Sequence, residues 1–396
     1  MDRPRLVKTA YSLAPHLAGY SDELSRMGYS PVTVGSHLCM AADLGRWLNG
    51  RNLKLRDLNA QRIAAFLRHR RRLPRVFLAS QRGMGPLLEF LRRKGAVPPA
   101  EVDASPTGRF LADYRTYLVG ERGLAATTVQ VYTFFARQFI AEEHPQLDWR
   151  DMTPADVSRF VLRTARRLTP PGSKFIVTCL RALLRFLHVR AMTAQDLSSA
   201  VPAVASWRLS GIPKAIDASQ VAQIFASFDR SPVGLRDAAI VRLAIRLGLR
   251  AGEIAALDLD DIDWRNGEMV VRGKNRYESR LPLPPDVGRT LAIYLRRSRP
   301  QSNTRALFLR SRAPLTRLAP TGVCSVARRA LAVVGVRGGA HWFRHTAATQ
   351  LLQHGADLSE IGHVLRHSST NTTAIYAKVD LATLGAVVRP WQGGAL

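Results

Sequence analysis

The sequence is poor in cysteine, lysine, acidic residues and long apolar runs, and each shortage narrows what the chain can be. The three cysteines, Cys39, Cys179 and Cys324, lie far apart with no C-x-x-C pair. That argues against a disulfide framework or a zinc site and fits a reducing cytosol. No stretch approaches the roughly 18 uninterrupted apolar residues of a membrane span. The opening "MDRPRLVKTAYSLAPHLAGYSDEL" has no apolar block long enough for a signal peptide. The expected location is therefore cytoplasmic, away from any membrane. Seven lysines stand beside 51 arginines, a preference that a GC-rich coding bias accounts for. Such a bias does not account for the shortage of acids: 58 Lys+Arg against 30 Asp+Glu give a net charge of +28. A surplus of that size favours a polyanionic partner, nucleic acid first. Residues 1–210 hold 32 basic and 16 acidic side chains and the rest hold 26 and 14, so a long surface shared by several domains is expected.

At 396 residues two or three domains are the starting expectation. An internal repeat organises the first half. "ELSRMGYSPVTVGSHLCMAADLGRWL" (23–48) resembles "LVGERGLAATTVQVYTFFARQFI" (118–140), with Gly28 matching Gly123 and Val34 matching Val129. "LRDLNAQRIAAFLRHRRR" (55–72) parallels "WRDMTPADVSRFVLRTARR" (149–167), and "GPLLEFLRRKGAV" (85–97) parallels "RALLRFLHVRAMT" (181–193). The apolar spacing is helical, as in Ile63, Phe66, Leu67 and Val157, Phe160, Val161. Two tandem all-helical modules are expected, at 1–100 and 105–200, followed by a Pro/Gly/Ser linker at 201–214. From 215 to 396 the pattern is mostly helical with one small sheet: "GEMVVRGKNRYESRLPLP" alternates as a β-hairpin turning at Lys274–Tyr277. Further on, Gly355 suits a helix C-terminus, and Asp357 with Glu360 forms a capping-box pattern opening the next helix.

Taken singly, the polar residues of this last domain have ordinary explanations. Arg250 can be the helical partner of Glu253, Lys274 a solvated turn residue, and His341 with Arg344 a structural pair on one helix face. Taken together, Arg250, Lys274, His341, Arg344, His367 and Tyr376 describe a chemistry. Two guanidinium groups grip a phosphodiester bidentately and stay charged at physiological pH. Imidazoles donate hydrogen bonds or move a proton, and an ammonium can protonate a departing oxygen. A phenol can be a covalent nucleophile, conserving the energy of the broken bond in a phosphotyrosyl ester. With the cations already present, no metal or other cofactor is expected. The acids of "DLDDIDW", Asp258, Asp260, Asp261 and Asp263, lack the spacing of a calcium loop and read as a polar turn leading into the hairpin.

The order and context of these residues resemble the catalytic domain of the tyrosine recombinase (phage integrase) family, over about 215–385. "GLRAGEIAALDLDDID" resembles its first arginine motif, "VRGKNRYESRLPLP" its lysine hairpin, and "HWFRHTAAT" its His-x-x-Arg motif. "IGHVLRHSSTNTTAIYAKV" is similar to its closing block. The resemblance implies roles for Arg250, Lys274, His341, Arg344 and His367, with Tyr376 as nucleophile, and gives His345 a more structural part. It departs at one position, where Arg366 stands in place of the family's usual glycine. The implied fold is mainly α with a small β-sheet: tandem helical, SAM-like core-binding modules and then the catalytic domain. The implied reaction is site-specific breaking and rejoining of double-stranded DNA through a 3′-phosphotyrosyl intermediate. The implied partners are DNA recombination sites and further copies of the chain, as a tetramer on two sites, with related recombinases as possible companions. The apolar residues of the tail "DLATLGAVVRPWQGGAL" allow it to fold back on its own domain, whereas the resemblance implies docking on a neighbouring protomer. A type IB topoisomerase-like DNA relaxation activity and a non-catalytic DNA-binding accessory factor are the alternatives.

Overall fold

A computed structural model describes residues 11–72, 78, 80–99, 103–204, 214–273, 278–366 and 370–379. Lys274, His367, the hairpin turn, most of the linker and the C-terminal tail lie outside the described residues. The chain forms two compact units, residues 1–46 with 209–396, and residues 47–208. The division falls at Arg46, near the end of the helix Pro31–Asn49 and inside the first expected module.

Each of the two stretches read as copies of a repeat contains four helices. The first copy holds α1 (Ala14–Arg26), α2 (Pro31–Asn49), α3 (Ala60–Arg71) and α4 (Gln81–Arg93). The second holds α5 (Pro106–Gly120), α6 (Ala126–Glu143), α7 (Pro154–Ala165) and α8 (Pro170–Val189). The equivalent glycines Gly28 and Gly123 follow α1 and α5 with φ of 81° and 59°, a left-handed turn that side chains disfavour. Side-chain oxygens start several of these helices: Asn59 accepts from the Arg62 amide, Ser80 from Gly83, Ser105 from Gly108, and Thr153 forms a capping box with Asp156. The core of the second unit is apolar and aromatic. Phe186 lies with its ring centroid 5.7 Å from that of Phe110 and 5.1 Å from those of Tyr114 and Tyr117.

In the first unit, Gly28 has a second constraint besides its φ. A Cβ there would fall 2.3 Å from Leu315 Cδ1, and the Leu315 amide donates to the Met27 carbonyl at 2.9 Å. The rest of the unit is built around α10. In order come α9 (Ala218–Ala226), α10 (Pro232–Arg246), α11 (Ala251–Ala256), strands β1 (Ile262–Asp263), β2 (Glu268–Arg272) and β3 (Glu278–Pro282), then α12 (Pro285–Arg297), α13 (Pro320–Val333), α14 (His341–Gln353), α15 (Leu358–Val364) and α16 (Thr370–Thr373). A tight helical turn, Ala374–Val379, follows. Helix α10 buries Ala239, Ile240, Val241, Leu243, Ala244 and Ile245 against α12, α13 and α14. The strands form an antiparallel sheet in the order β1-β2-β3, with Val270 opposite Arg280. The expected hairpin is thus present as β2 and β3, and β1 is an addition to it. The fold is mainly α with a small sheet.

The four acids at the entry to the sheet each have their own partner. Asp258 pairs with Arg317 at 2.6 Å, Asp260 with Arg305, and Asp261 with Arg272, while Asp263 accepts from the Arg265 and Asn266 amides. They organise the turn into the sheet, as a polar turn should. Among the described residues no helix is long and apolar enough to cross a membrane.

Candidate active site

Four of the six expected site residues are described, and they come from three places in the chain: the turn between α10 and α11, helix α14, and the segment after α15. Gly248 makes their meeting possible. Its φ is 59°, and a Cβ there would lie 2.4 Å from Leu365 Cδ2, so a larger residue would drive the two turns apart.

Arg250 caps α11. Its amide donates to Glu253 Oε2 at 2.8 Å, and its Nη1 donates to Oε1 at 2.7 Å. Its Nη2 donates to the Arg366 carbonyl at 3.3 Å. The Arg250 side chain is still 38% exposed, whereas that of Glu253 is buried. Arg344, one turn into α14, is buried and spans the two turns. Its Nη1 donates to the Gly248 carbonyl at 2.6 Å and its Nη2 to the Leu365 carbonyl. The two arginines therefore use successive carbonyls, Leu365 and Arg366. Burial, and then the charge of Arg250, pull the Arg344 guanidinium down to about 10, so it stays cationic at neutral pH.

Helix α14 presents His341 and His345 one turn apart. Reduced hydration lowers the pKa of both imidazoles; Arg344 and Arg250 add to the effect at His341, and His341 and Arg344 at His345. Both are mainly neutral at pH 7. Tyr376 sits in the turn Ala374–Val379, 1% exposed and packed with Ala348, Ile361 and Leu365. Its hydroxyl shares a 2.9 Å hydrogen bond with His345 Nδ1. Burial raises the phenol pKa, with Arg344 opposing, so it is protonated at neutral pH.

Three residues contribute more to the site than their sequence context suggests. His345 touches Tyr376, where only a structural part was expected; its place four residues after His341 on the same face was the available signal. Glu253 holds two arginines rather than one, since Arg366 Nη2 also donates to its Oε2 at 2.8 Å. Arg366 itself has a φ of 55°, which for a residue with a side chain costs about 1–2 kcal/mol. From Arg250 an open cleft of about 660 Å³ runs past Glu253 and Ala256 to Arg272, Gly273 and Glu278, the two strand ends that flank the hairpin turn.

Residues 214–382 match the Phage integrase family. A relative from Sinorhizobium fredii, named "Putative integrase/recombinase y4rA", is 37% identical over 97% of this chain and 95% of its own. The tyrosine recombinase XerD of Mycobacterium tuberculosis is 31% identical over 72% of this chain and 96% of its own. Among solved structures, a lambda integrase tetramer bound to a Holliday junction is 17% identical with a TM-score of 0.53, covering 74% of this chain and 89% of the integrase chain. The chain belongs to the phage integrase family. It is a tyrosine-type site-specific recombinase, an enzyme of DNA recombination.

Proposed function

We propose that this recombinase breaks and rejoins DNA through a 3′-phosphotyrosyl link on Tyr376, using its own cations in place of a metal. The observation that carries the reading is the convergence of Arg250 and Arg344 on the Leu365 and Arg366 carbonyls, in the same unit as Tyr376, whose hydroxyl meets His345 on the helix that carries Arg344. Together they supply two fixed positive charges where a scissile phosphate gains negative charge. The Tyr376 oxygen attacks phosphorus, the bond to the 5′-oxygen breaks, and a 5′-hydroxyl leaves. The phenol proton needs an acceptor, because Tyr376 is protonated at rest. His345, with its own proton on Nε2, is already within 2.9 Å of it. His341 and His367 assist at the phosphate, and Lys274 protonates the leaving oxygen. The cleft leading from Arg250 to the strand ends beside residue 274 supports that last assignment.

The helical repeats at 1–100 and 105–200 serve as DNA clamps in this reading. Residues 51–100 hold 13 basic and 2 acidic side chains, a density suited to phosphate contact. Assembly as a tetramer on two sites, and action in the cytoplasm, complete the proposal; the lambda integrase tetramer on a Holliday junction supports the former. The test uses a library of nicked, random-sequence duplexes, from which covalent adducts are recovered. Wild-type protein should select a defined site and attach to its 3′-phosphate. Tyr376→Phe should bind that site equally well and form no adduct. An adduct persisting in that variant, mapped to another residue, would overturn the assignment.

A further inference from the structure

The Arg366 side chain has no part in the mechanism above, which uses only its carbonyl, yet it occupies the centre of the site. It follows α15 at φ 55°, where glycine would be unstrained. Its side chain is only 5% exposed, it donates from Nη2 to Glu253 Oε2 at 2.8 Å and from Nη1 to the Val364 carbonyl at 2.9 Å, and its buried Nε has no hydrogen-bond partner. A strained backbone and an incompletely satisfied buried guanidinium are a poor way to stabilise a turn. The arrangement makes sense when charges are counted. Glu253 accepts from Arg250 with both of its oxygens, and by itself would cancel the charge that Arg250 brings to a phosphate. With Arg366 on the same carboxylate, the cluster of Arg250, Arg344, Arg366 and Glu253 keeps a net charge of +2.

We propose that Arg366 is a positioning residue for strand cleavage: it shares Glu253 with Arg250 and so leaves the phosphate site with two uncompensated positive charges. A phosphodiester carries one negative charge and gains a second as the tyrosine oxygen attacks. A site of net +1 would match the bound substrate; a site of net +2 matches the transition state, and only the latter difference raises the cleavage rate. Arg366 need not touch the DNA. Its carbonyl orients Arg250 from one side, and its guanidinium holds the carboxylate from the other. The role rests on the phosphotyrosyl reading.

The test compares the selected nicked duplex with one carrying a methylphosphonate at the scissile position, where one anionic oxygen is replaced by a methyl group. Arg366→Gly suits the left-handed backbone and removes the guanidinium; Arg366→Lys keeps a cation. On the phosphate duplex, Arg366→Gly should bind within about twofold of wild type and form adduct at least about tenfold more slowly, with Arg366→Lys recovering most of the rate. On the methylphosphonate duplex the ratio of wild type to Arg366→Gly should fall to within about twofold, because the second negative charge never develops. Equal slowing on both duplexes would make Arg366 a purely structural residue and overturn the proposal, as would no slowing on either. Wild-type protein forming no adduct on the phosphate duplex would instead count against the phosphotyrosyl reading, so the two failures are told apart.

Discussion

Residues 103–204 and 214–366 are both mainly helical, but they treat buried charge differently. The helical module buries hydroxyls, Thr133, Thr164, Ser173, Thr193 and Ser198, inside an aromatic and aliphatic core. Its acid with a buried side chain, Glu143, meets Arg159 and Arg163 at the surface. The second region buries Arg236, Asp237, Glu253, Asp261, Arg344 and the Arg366 side chain. Removing a charge from water is costly, and the cost recurs where a site must hold charge in a fixed place. Not all of it serves the site: Arg236 binds Asp237 at 2.7 Å and the Leu309 carbonyl at 3.1 Å, and Arg329 closes that group from the surface. One region is built on apolar packing, and the other holds buried charge that the proposed mechanism directs at a phosphate.

Substitutions distinguish the two regions. Arg344→Ala removes a cation that also ties the Gly248 and Leu365 turns, so adduct formation should fall by at least ~100-fold; single-turnover cleavage of the selected duplex measures it. A rate near wild type would mean that burial of charge here has no catalytic purpose. Phe186→Ala should instead cost about 3–5 kcal/mol of stability, read by denaturant unfolding, while leaving the cleavage rate of the folded, DNA-bound fraction near wild type. A cleavage defect at saturating protein would erase the division of labour.

Acid should act on the second region through its histidines. His341 and His345 have folded-state values below the ordinary 6.5, so the unfolded chain binds more protons as pH falls below that value. Their contribution to stability is therefore fully present above pH 6.5 and is lost as pH drops through the folded-state values. Thermal melts between pH 7.5 and 5.5 should show a decline that His345→Gln reduces. A decline unchanged by that variant would place the proton uptake elsewhere. The smallest effect belongs to Arg305→Ala, which opens an exposed pair with Asp260 in the same unit. The melting temperature should stay within about 2 °C of wild type. A larger shift would show that exposure does not separate the structural pairs from the functional ones.

Much of this was legible in the sequence because it is local. The Arg250–Glu253 pair sits three residues apart, the Asp357–Glu360 capping box likewise, and Gly355 takes a φ of 91° just past α14, as a C-terminal glycine should. The hairpin strands follow from alternation. The contacts that were not legible are those between distant segments. Arg366 reaches Glu253 across 113 residues and Tyr376 reaches His345 across 31. Strand β1 has two residues and exists only because β2 pairs with it. The same holds for the first two helices: their spacing predicts helix, but nothing local reveals that the turn at Met27 and Gly28 bonds to Leu315.

The seat of Tyr376 has a consequence for safety. Under the proposed mechanism this side chain breaks a DNA strand, and at rest it is sheathed at 1% exposure among Ala348, Ile361 and Leu365. Under that mechanism, opening the Tyr376 oxygen to a phosphorus atom gives up part of an apolar burial worth roughly 2 kcal/mol, while His345 Nδ1 stays within reach of the phenol proton. A passing duplex that contacts only a few basic side chains has little free energy to spare for this. A full recombination site has more. Under the proposed mechanism the nucleophile is therefore exposed mainly on the site that binds most extensively, and fidelity begins before any bond is broken.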